Sequence, residues 1–419
     1  SVSRLGYVGG DQFSPYVGNL VFDGDAAYKH IFEAIKTKGD YNAWVQTAKK
    51  CRRESLIARI MISASFASVL VKHIGGLPFF VHLWSCESGT GKTVALMLAA
   101  SVWGNPELGT YIQSFNSTVV GHEKMAAFLN NIPMCIDELQ LSKDSQGKSK
   151  FDVYQLAQGV GRTRGNKTGG VDKTPTWSNC ILTTGETPIV REGAGAGAVN
   201  RVIDLECPTG EKVILSGQET ANVVKANYGH AGKKFVENLD IEKAKQTYND
   251  YFKILTATNT TEKQSMAAAM VMTADKIVSE MFFEDGELDA EFIQKFLASK
   301  ESVDVGSRGY KYICDWIAIN IGYFLESTGV SQSENMPNKI YGQKTSEDWI
   351  YINQSIFRNI AEEGGYNSKA LLSYLKSKGL IQTRGKGFTK NKRICGICTE
   401  CVLLKMQDVI YGNEETELI

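Results

Sequence analysis

Neither sign of charge prevails in this chain: Lys plus Arg and Asp plus Glu both number 46, so the formal net charge is zero. That balance excludes a globally basic nucleic-acid binder, while leaving room for a groove or ring with locally clustered lysines. Histidine is scarce, with five residues in no metal-ligand spacing. Apolar runs able to span a bilayer are missing: Ile57 to Ile74 carries Lys72 and His73, and Ile313 to Leu325 is short and carries Asp315. No signal peptide is visible, and the start at Ser1, inside an extended Gly/aromatic segment, points to a fragment with N-terminal sequence missing. Nine cysteines scattered through apolar segments suit a reduced, cytoplasmic interior rather than a disulfide framework. At 419 residues the chain exceeds one ordinary core, so roughly two to three domains are expected.

What is present begins with Cys86-Glu87-Ser88-Gly89-Thr90-Gly91-Lys92-Thr93, between the apolar run Leu77 to Trp84 and the helix-forming run Val94 to Val102. Strand, Gly-rich loop and helix in that order make a cradle for the phosphates of ATP or GTP. Glycines let successive backbone N–H groups turn inward, Lys92 reaches the terminal phosphates, and the Thr93 hydroxyl ligates magnesium. Cys86 stands where glycine is commonest. Downstream, Ile132-Pro-Met-Cys-Ile-Asp137-Glu138 reads as a buried strand ending in two carboxylates. Asp137 would hold the magnesium shell and Glu138 would polarise the attacking water.

Five short apolar strands, Phe79 to Trp84, Thr110 to Phe115, Met134 to Asp137, Asn179 to Thr184 and Arg201 to Glu206, alternate with helices at Val94 to Val102 and His122 to Asn130. Such strands imply a parallel sheet covered on both faces, with the chemistry at their carboxyl ends. The expected architecture is α/β: a three-layer P-loop core over 55–210, an N-terminal strap and helices over 1–54, a helical lid and connection over 211–341, and a winged-helix domain over 342–419. A long helix is expected from Glu54 to His73.

Between the acidic strand and the next core strand, a helix from Phe151 to Gln158 leads into a hairpin, Thr163 to Trp177, turning at Gly169-Gly170. Its Lys167 and Lys173 are placed ahead of Arg162 and Arg164 as contacts to nucleic-acid phosphates. The alternative is a solvated hairpin with ordinary surface charge. Thr184, or Thr183 if the register slips by one, would sense the terminal phosphate or orient water. A Gly/Ala loop then delivers Arg201, either to the nucleotide of a neighbouring subunit or to a structural salt bridge.

Together the phosphate loop, Ala99-Ala-Ser-Val-Trp-Gly104, Ile136-Asp-Glu138, Thr183-Thr-Gly-Glu186 and Asn200-Arg201 resemble the AAA+ helicase domain of phage and plasmid primase-helicases. The resemblance is closest to the replication helicases of staphylococcal cassette chromosomes and pathogenicity islands, and runs from Arg4-Leu-Gly-Tyr to about residue 210. It implies ATP and magnesium as cofactors, hexameric rings related to archaeal and eukaryotic replicative helicases, and a hairpin facing the channel. By position it assigns Lys92 and Thr93 to phosphate and magnesium, Asp137 and Glu138 to the acidic motif, Thr184 to the first sensor and Arg201 to the trans-acting arginine. A second sensor stays unassigned, with Lys263 a weak candidate.

Residues 217 to 300 read as helices suited to closing over a nucleotide, and Tyr312 to Ser327 belongs either to that lid or to a connection. Farther on, an amphipathic helix from Asn367, a basic turn over Arg384 to Arg393 and a strand from Ile394 to Met406 fit a winged helix. That domain either touches duplex DNA, through Lys376, Lys378, Arg384, Lys386, Lys390, Lys392 and Arg393, or docks a protein. Cys395, Cys398 and Cys401 raise the idea of structural zinc, but no fourth ligand is evident and the segment also reads as a strand with small apolar cysteines. The expected function is an ATP-dependent helicase translocating on single-stranded or forked DNA during replication of a mobile element, partnered by a primase, polymerase or initiator. The alternatives are a regulatory AAA+ ATPase that does not unwind, and an assembly that uses nucleotide structurally.

Overall fold

The computed structural model describes residues 1–10, 12–18, 20–115, 118–138, 151–163, 174–189, 196–326, 339–345, 348–383, 385 and 387–406. The chain divides into two compact units, residues 1–300 and residues from 301 onward.

The first unit opens with a small antiparallel hairpin, β1 (Gly6–Gly9) against β2 (Gln12–Ser14). Its core is a parallel sheet of β3 (Phe79–Trp84), β4 (Gln113–Ser114), β5 (Met134–Asp137), β6 (Cys180–Gly185) and β7 (Val202–Glu206), in the order β4-β5-β6-β3-β7. All six residues of β6 and five of the six in β3 are buried, which is why these strands read as unbroken apolar runs. Expected as Thr110 to Phe115, β4 is only two residues long. The chain there turns at Gly109, and Tyr111 is spent anchoring its hydroxyl on the Pro133 carbonyl at 2.6 Å.

The helix expected from Glu54 to His73 is two helices, Leu56–Ala67 and Leu70–Ile74. Ser55 starts the first by turning extended and accepting the Ala58 N–H. Every residue from Ile57 to Ala67 is buried. The helix Glu262–Val278 lies against it, and Ile241–Thr256 lies against that. The helices from 217 to 300 therefore share one apolar core with the sheet instead of forming a separate lid.

Four charges are sealed into that packing. Arg59 Nε and Nη2 donate to Asp275 at 2.9 and 2.6 Å, and Arg52 Nε donates to Asp285 at 2.7 Å. Ser63 and Ser279 donate to Asp275 and Asp285, each at 2.7 Å. No side chain of the four exceeds 8% exposure, so the cluster survives because two cations meet two anions with serines filling the remaining lone pairs.

In the second unit, three helices, Val305–Ile319, Gln354–Glu363 and Ser368–Ser377, pack on a sheet. The strands are β8 (Phe324–Leu325), β9 (Gly342–Lys344), β10 (Trp349–Asn353), β11 (Ile381–Gln382), β12 (Lys390–Ile394) and β13 (Ile397–Lys405). Their order is β11-β13-β10-β9-β8, with β12 paired on β13, which makes a helix-turn-helix domain of winged type. The helical run expected from Tyr312 to Ser327, as lid or connection, is instead the helix Val305–Ile319 and belongs here: Tyr310, Ile313 and Ile317 are buried with Leu371 and Leu375. The basic turn expected over Arg384 to Arg393 is in part strand β12. The tight turn falls at Cys395-Gly396, both with positive φ (47° and 79°), as a two-residue hairpin of matching twist requires.

Candidate functional site

β3 ends at Trp84, and the chain loops through Gly89 (φ 74°) and Gly91 (φ 91°) into the helix Lys92–Ala100. Gly91 is the N-cap and supplies no side-chain acceptor, so the first N–H groups of that helix are left for a ligand. A side chain at Gly91 would lie 3.0 Å from Ile214 in a left-handed backbone, so glycine is required twice over. Lys92 Nζ donates to the carbonyls of Glu87 at 2.7 Å and Ser85 at 3.2 Å, and to Thr90 Oγ1 at 3.4 Å. The Glu87 carboxylate accepts the Gly210 N–H at 2.9 Å, bracing the loop from the segment after β7. Ser88 is exposed at the loop tip.

The acidic strand reaches the same place. Asp137 is 4% exposed, and its Oδ1 accepts from Thr93 Oγ1 at 3.4 Å and from Thr184 Oγ1. The Glu138 N–H donates to Thr184 Oγ1 at 3.4 Å. Glu138 has φ 64°, an uncommon conformation for a non-glycine residue, and its side chain leaves the sheet for solvent. β6, lying between β3 and β5, makes this convergence possible.

Alternation along β6 separates the two threonines. Thr184 faces Asp137, whereas Thr183 Oγ1 lies 2.7 Å from His82 Nδ1. The other ring nitrogen, Nε2, is 2.9 Å from the Thr187 carbonyl, which can only accept, so Nε2 carries the proton and the Thr183 hydroxyl donates to Nδ1. Burial, opposed by the Thr187 bond, brings the His82 pKa down to about 4. Sequence reasoning missed this histidine, whose position inside an apolar strand is its only signal.

Arg201 is buried beside the short helix Val153–Leu156. Its Nη1 donates to the Tyr154 carbonyl at 3.2 Å and its guanidinium lies 4.9 Å from the Tyr154 ring. Arg201 Nε has no hydrogen-bond partner among the described residues. Two residues past β7's start, burial and then Glu206 raise the Asp204 pKa to about 7.

A cavity of about 330 Å³ opens beside the phosphate loop, with Gly89 to Val94 on one side and Lys212, Ile214, Leu215, Gly217, Gln218 and Ala221 on the other. The Val213 N–H donates to the Thr90 carbonyl at 2.8 Å, pinning the second wall to the first. Lys212 thus shares the cavity with Lys92, while Lys263 does not line it. The turn signal Pro208-Thr-Gly210 after β7 hinted at a return of the chain, but not at its destination.

The remaining cations lie elsewhere. Lys167, Lys173 and Lys386, with Arg164 and Arg384, fall outside the described residues. The base of the expected hairpin is antiparallel: Val160 pairs with Thr176, and the Gly161 N–H donates to Pro175 at 2.8 Å. Arg162 donates to Gln155 at 2.9 Å. On the wing, Lys390 Nζ donates to Gln382 at 3.0 Å and Lys392 sits 5.0 Å from the Tyr351 ring, leaving Arg393 exposed. Cys401 is buried while Cys395 and Cys398 are exposed, and among the described residues no group of three or more His, Cys, Asp or Glu could hold a metal. No helix among them is long and apolar enough to cross a membrane.

Residues 13–177, which include the phosphate loop and Asp137-Glu138, match the family model of a domain of unknown function (DUF927). Residues 304–408 match that of the Cch helix turn helix domain, which is nearly the whole described second unit. No curated protein matches the chain. A solved structure titled "SCCmec type IV Cch - active helicase" is similar at 19% identity, covering 89% of this chain and 71% of that one with a TM-score of 0.63. That likeness is one of fold.

Proposed function

We propose that the chain is the AAA+ motor of an ATP-dependent DNA helicase, acting as a hexamer on single-stranded or forked DNA of a mobile genetic element. One observation carries the reading: the hydroxyls of Thr93 and Thr184 converge on Asp137 Oδ1 at the mouth of the phosphate loop. Hard oxygen donors beside free helix N–H groups and an ammonium fit a nucleoside triphosphate with a divalent cation. Thr93 and Asp137 would hold magnesium, whose contribution when bound is to neutralise charge on the phosphate oxygens. The amides of Gly89 to Thr93 and Lys92 would bind and orient the phosphates, with Lys92 exchanging its carbonyl partners for them. Glu138, outside the sheet but tied through its N–H to Thr184, would take the proton of the attacking water. Arg201 would leave Tyr154 to complete a neighbour's site.

The likeness to a structure titled as an active helicase and the match to the Cch helix turn helix domain support the unwinding role and the mobile-element setting. Lys167 and Lys173 would grip the strand, and Lys386, Lys390, Lys392 and Arg393 would contact DNA from the wing. Replacing Glu138 by Gln should preserve ATP binding and lower steady-state turnover by about a hundredfold or more. Unchanged turnover would remove Glu138 from the mechanism. Strand separation on a tailed duplex distinguishes the motor from a regulatory ATPase: hydrolysis without separation supports the latter.

A further inference from the structure

Building on the roles proposed above for Arg201 and the hairpin, we infer that Tyr154 holds Arg201 in reserve and that Gln155, the next residue, ties this hold to the hairpin, so that a bound strand releases the arginine. Two different segments hang on the single helical turn Val153–Leu156. One is the arm that carries Arg201. Its guanidinium lies 4.9 Å from the Tyr154 ring, and Nη1 donates to the Tyr154 carbonyl at 3.2 Å. The same ring packs on Gly197, where a Cβ would fall 2.4 Å from it, so glycine is what lets the arm lie against the tyrosine. The other segment is the base of the hairpin. Arg162 Nη2 donates to Gln155 Oε1 at 2.9 Å from the outgoing strand, and Trp177 Nε1 donates to the Leu156 carbonyl at 2.8 Å from the returning one.

The two attachments are not equally firm. Gln155 is buried, and its Nε2 donates to the buried Glu123 carboxylate of the helix Val119–Leu129, which fixes the amide with its oxygen toward Arg162. Arg201 is held by one hydrogen bond and the face of a half-exposed ring, and its buried Nε has no partner among the described residues. A buried donor left unbonded disfavours the parked state, so the arm leaves it at small cost. Because one turn of helix moves as a body, a shift of the hairpin base passes from Gln155 to Tyr154 and breaks the weaker contact first. Tyr154 and Gln155 are thus positioning residues, and neither lines the cavity beside the phosphate loop.

The experiment is steady-state ATP hydrolysis by the full chain, with and without a saturating single-stranded oligonucleotide, in wild type, Tyr154→Leu and Gln155→Leu, with oligonucleotide affinity read by fluorescence anisotropy. The oligonucleotide should raise wild-type turnover. Tyr154→Leu should raise turnover without DNA by about two- to fivefold, the worth of a half-exposed cation–π contact, and leave the stimulated rate where it was. Gln155→Leu should keep the DNA-free rate and the DNA affinity of wild type and lose the stimulation. A DNA-free rate in Tyr154→Leu that stays level or falls overturns the hold, and full stimulation in Gln155→Leu overturns the tie. If loss of the Glu123 bond unfolds the Gln155 variant, Arg162→Leu cuts the same tie at its exposed end, and full stimulation there overturns it equally. Wild type that binds the oligonucleotide without stimulation sinks this inference alone. Wild type that binds none, or undiminished turnover in Arg201→Ala, shows instead that the reading beneath it has failed.

Discussion

Two polar clusters in the first unit contain the same kinds of groups and are bonded in opposite ways. Around Asp275 and Asp285, each carboxylate meets a guanidinium and a serine, and the whole is shut off from water. Around Asp137, among the described residues, the carboxylate has only the hydroxyls of Thr93 and Thr184, Lys92 leans on loop carbonyls, and the cap of its helix supplies no side-chain acceptor. A completed network has nothing left to offer a ligand and acts on the fold. An incomplete one beside a cavity keeps bonding capacity for something that arrives later.

Breaking the sealed cluster should have the largest effect on stability. Arg59→Ala leaves Asp275 buried with half its partners, so unfolding by denaturant should show a loss of about 3–5 kcal/mol. Lys92→Ala should change stability by less than about 1 kcal/mol while abolishing nucleotide binding. Similar losses in both variants would erase the distinction.

Acid should expose a second contrast, since His82 and His122 are both buried with pKa values lowered from 6.5 to about 4. Their neutral forms stabilise the fold fully above pH 6.5, and that contribution is lost as pH falls through about 4, because the unfolded chain takes up the protons first. For His82 the loss approaches about 3 kcal/mol. Asp204, raised to about 7, works the other way: it favours the fold at low pH and loses that advantage as pH rises through 7. Denaturant midpoints between pH 7 and 4 should therefore fall, and fall more steeply in Asp204→Asn. A flat profile in both chains would show that these groups are solvated.

The neighbouring threonines of β6 give a smaller, sharper comparison. Thr183→Val strands the buried His82 Nδ1 and should cost about 1–3 kcal/mol in thermal melts with turnover retained. Thr184→Val should do the reverse, lowering turnover at little cost in stability. Equal effects would mean that the two faces of the strand are not separate.

The least disruptive change is Tyr154→Ala, because a ring 47% exposed stacked on Arg201 contributes only about 0.5–1 kcal/mol. Arg201→Ala should add little to that loss. A drop of several kcal/mol would mark Arg201 as a structural cation rather than one free to move to a neighbour.

Local chemistry made the phosphate loop legible: the spacing of Gly89, Gly91, Lys92 and Thr93 acts within one strand-loop-helix unit. β3 and β5 run over Phe79–Trp84 and Met134–Asp137, the bounds read from their apolar runs. Less was legible wherever distant residues decide. The shortness of β4, whose Tyr111 is anchored on Pro133, and the place of Val305–Ile319 in the second unit come from packing partners elsewhere in the chain, whereas the break at Ser55 is a local cap. Lys390 and Lys392 read as DNA-contact candidates on the wing, and their neighbours there, Gln382 and Tyr351, are set by strand pairing that no local pattern marks.

The sequence by itself determined the elements and the residue types at the cradle, because helix period, strand length and the glycine requirement at positive φ are properties of neighbouring residues. Only the tertiary structure decided which threonine of β6 meets Asp137, where Arg201 rests, and that Lys212 and Gln218 wall the cavity beside the Gly89–Thr93 loop. Those outcomes depend on strand order, pairing register and the return of residues 208–221 over the loop, and each is set by contacts between segments that carry no mark of one another.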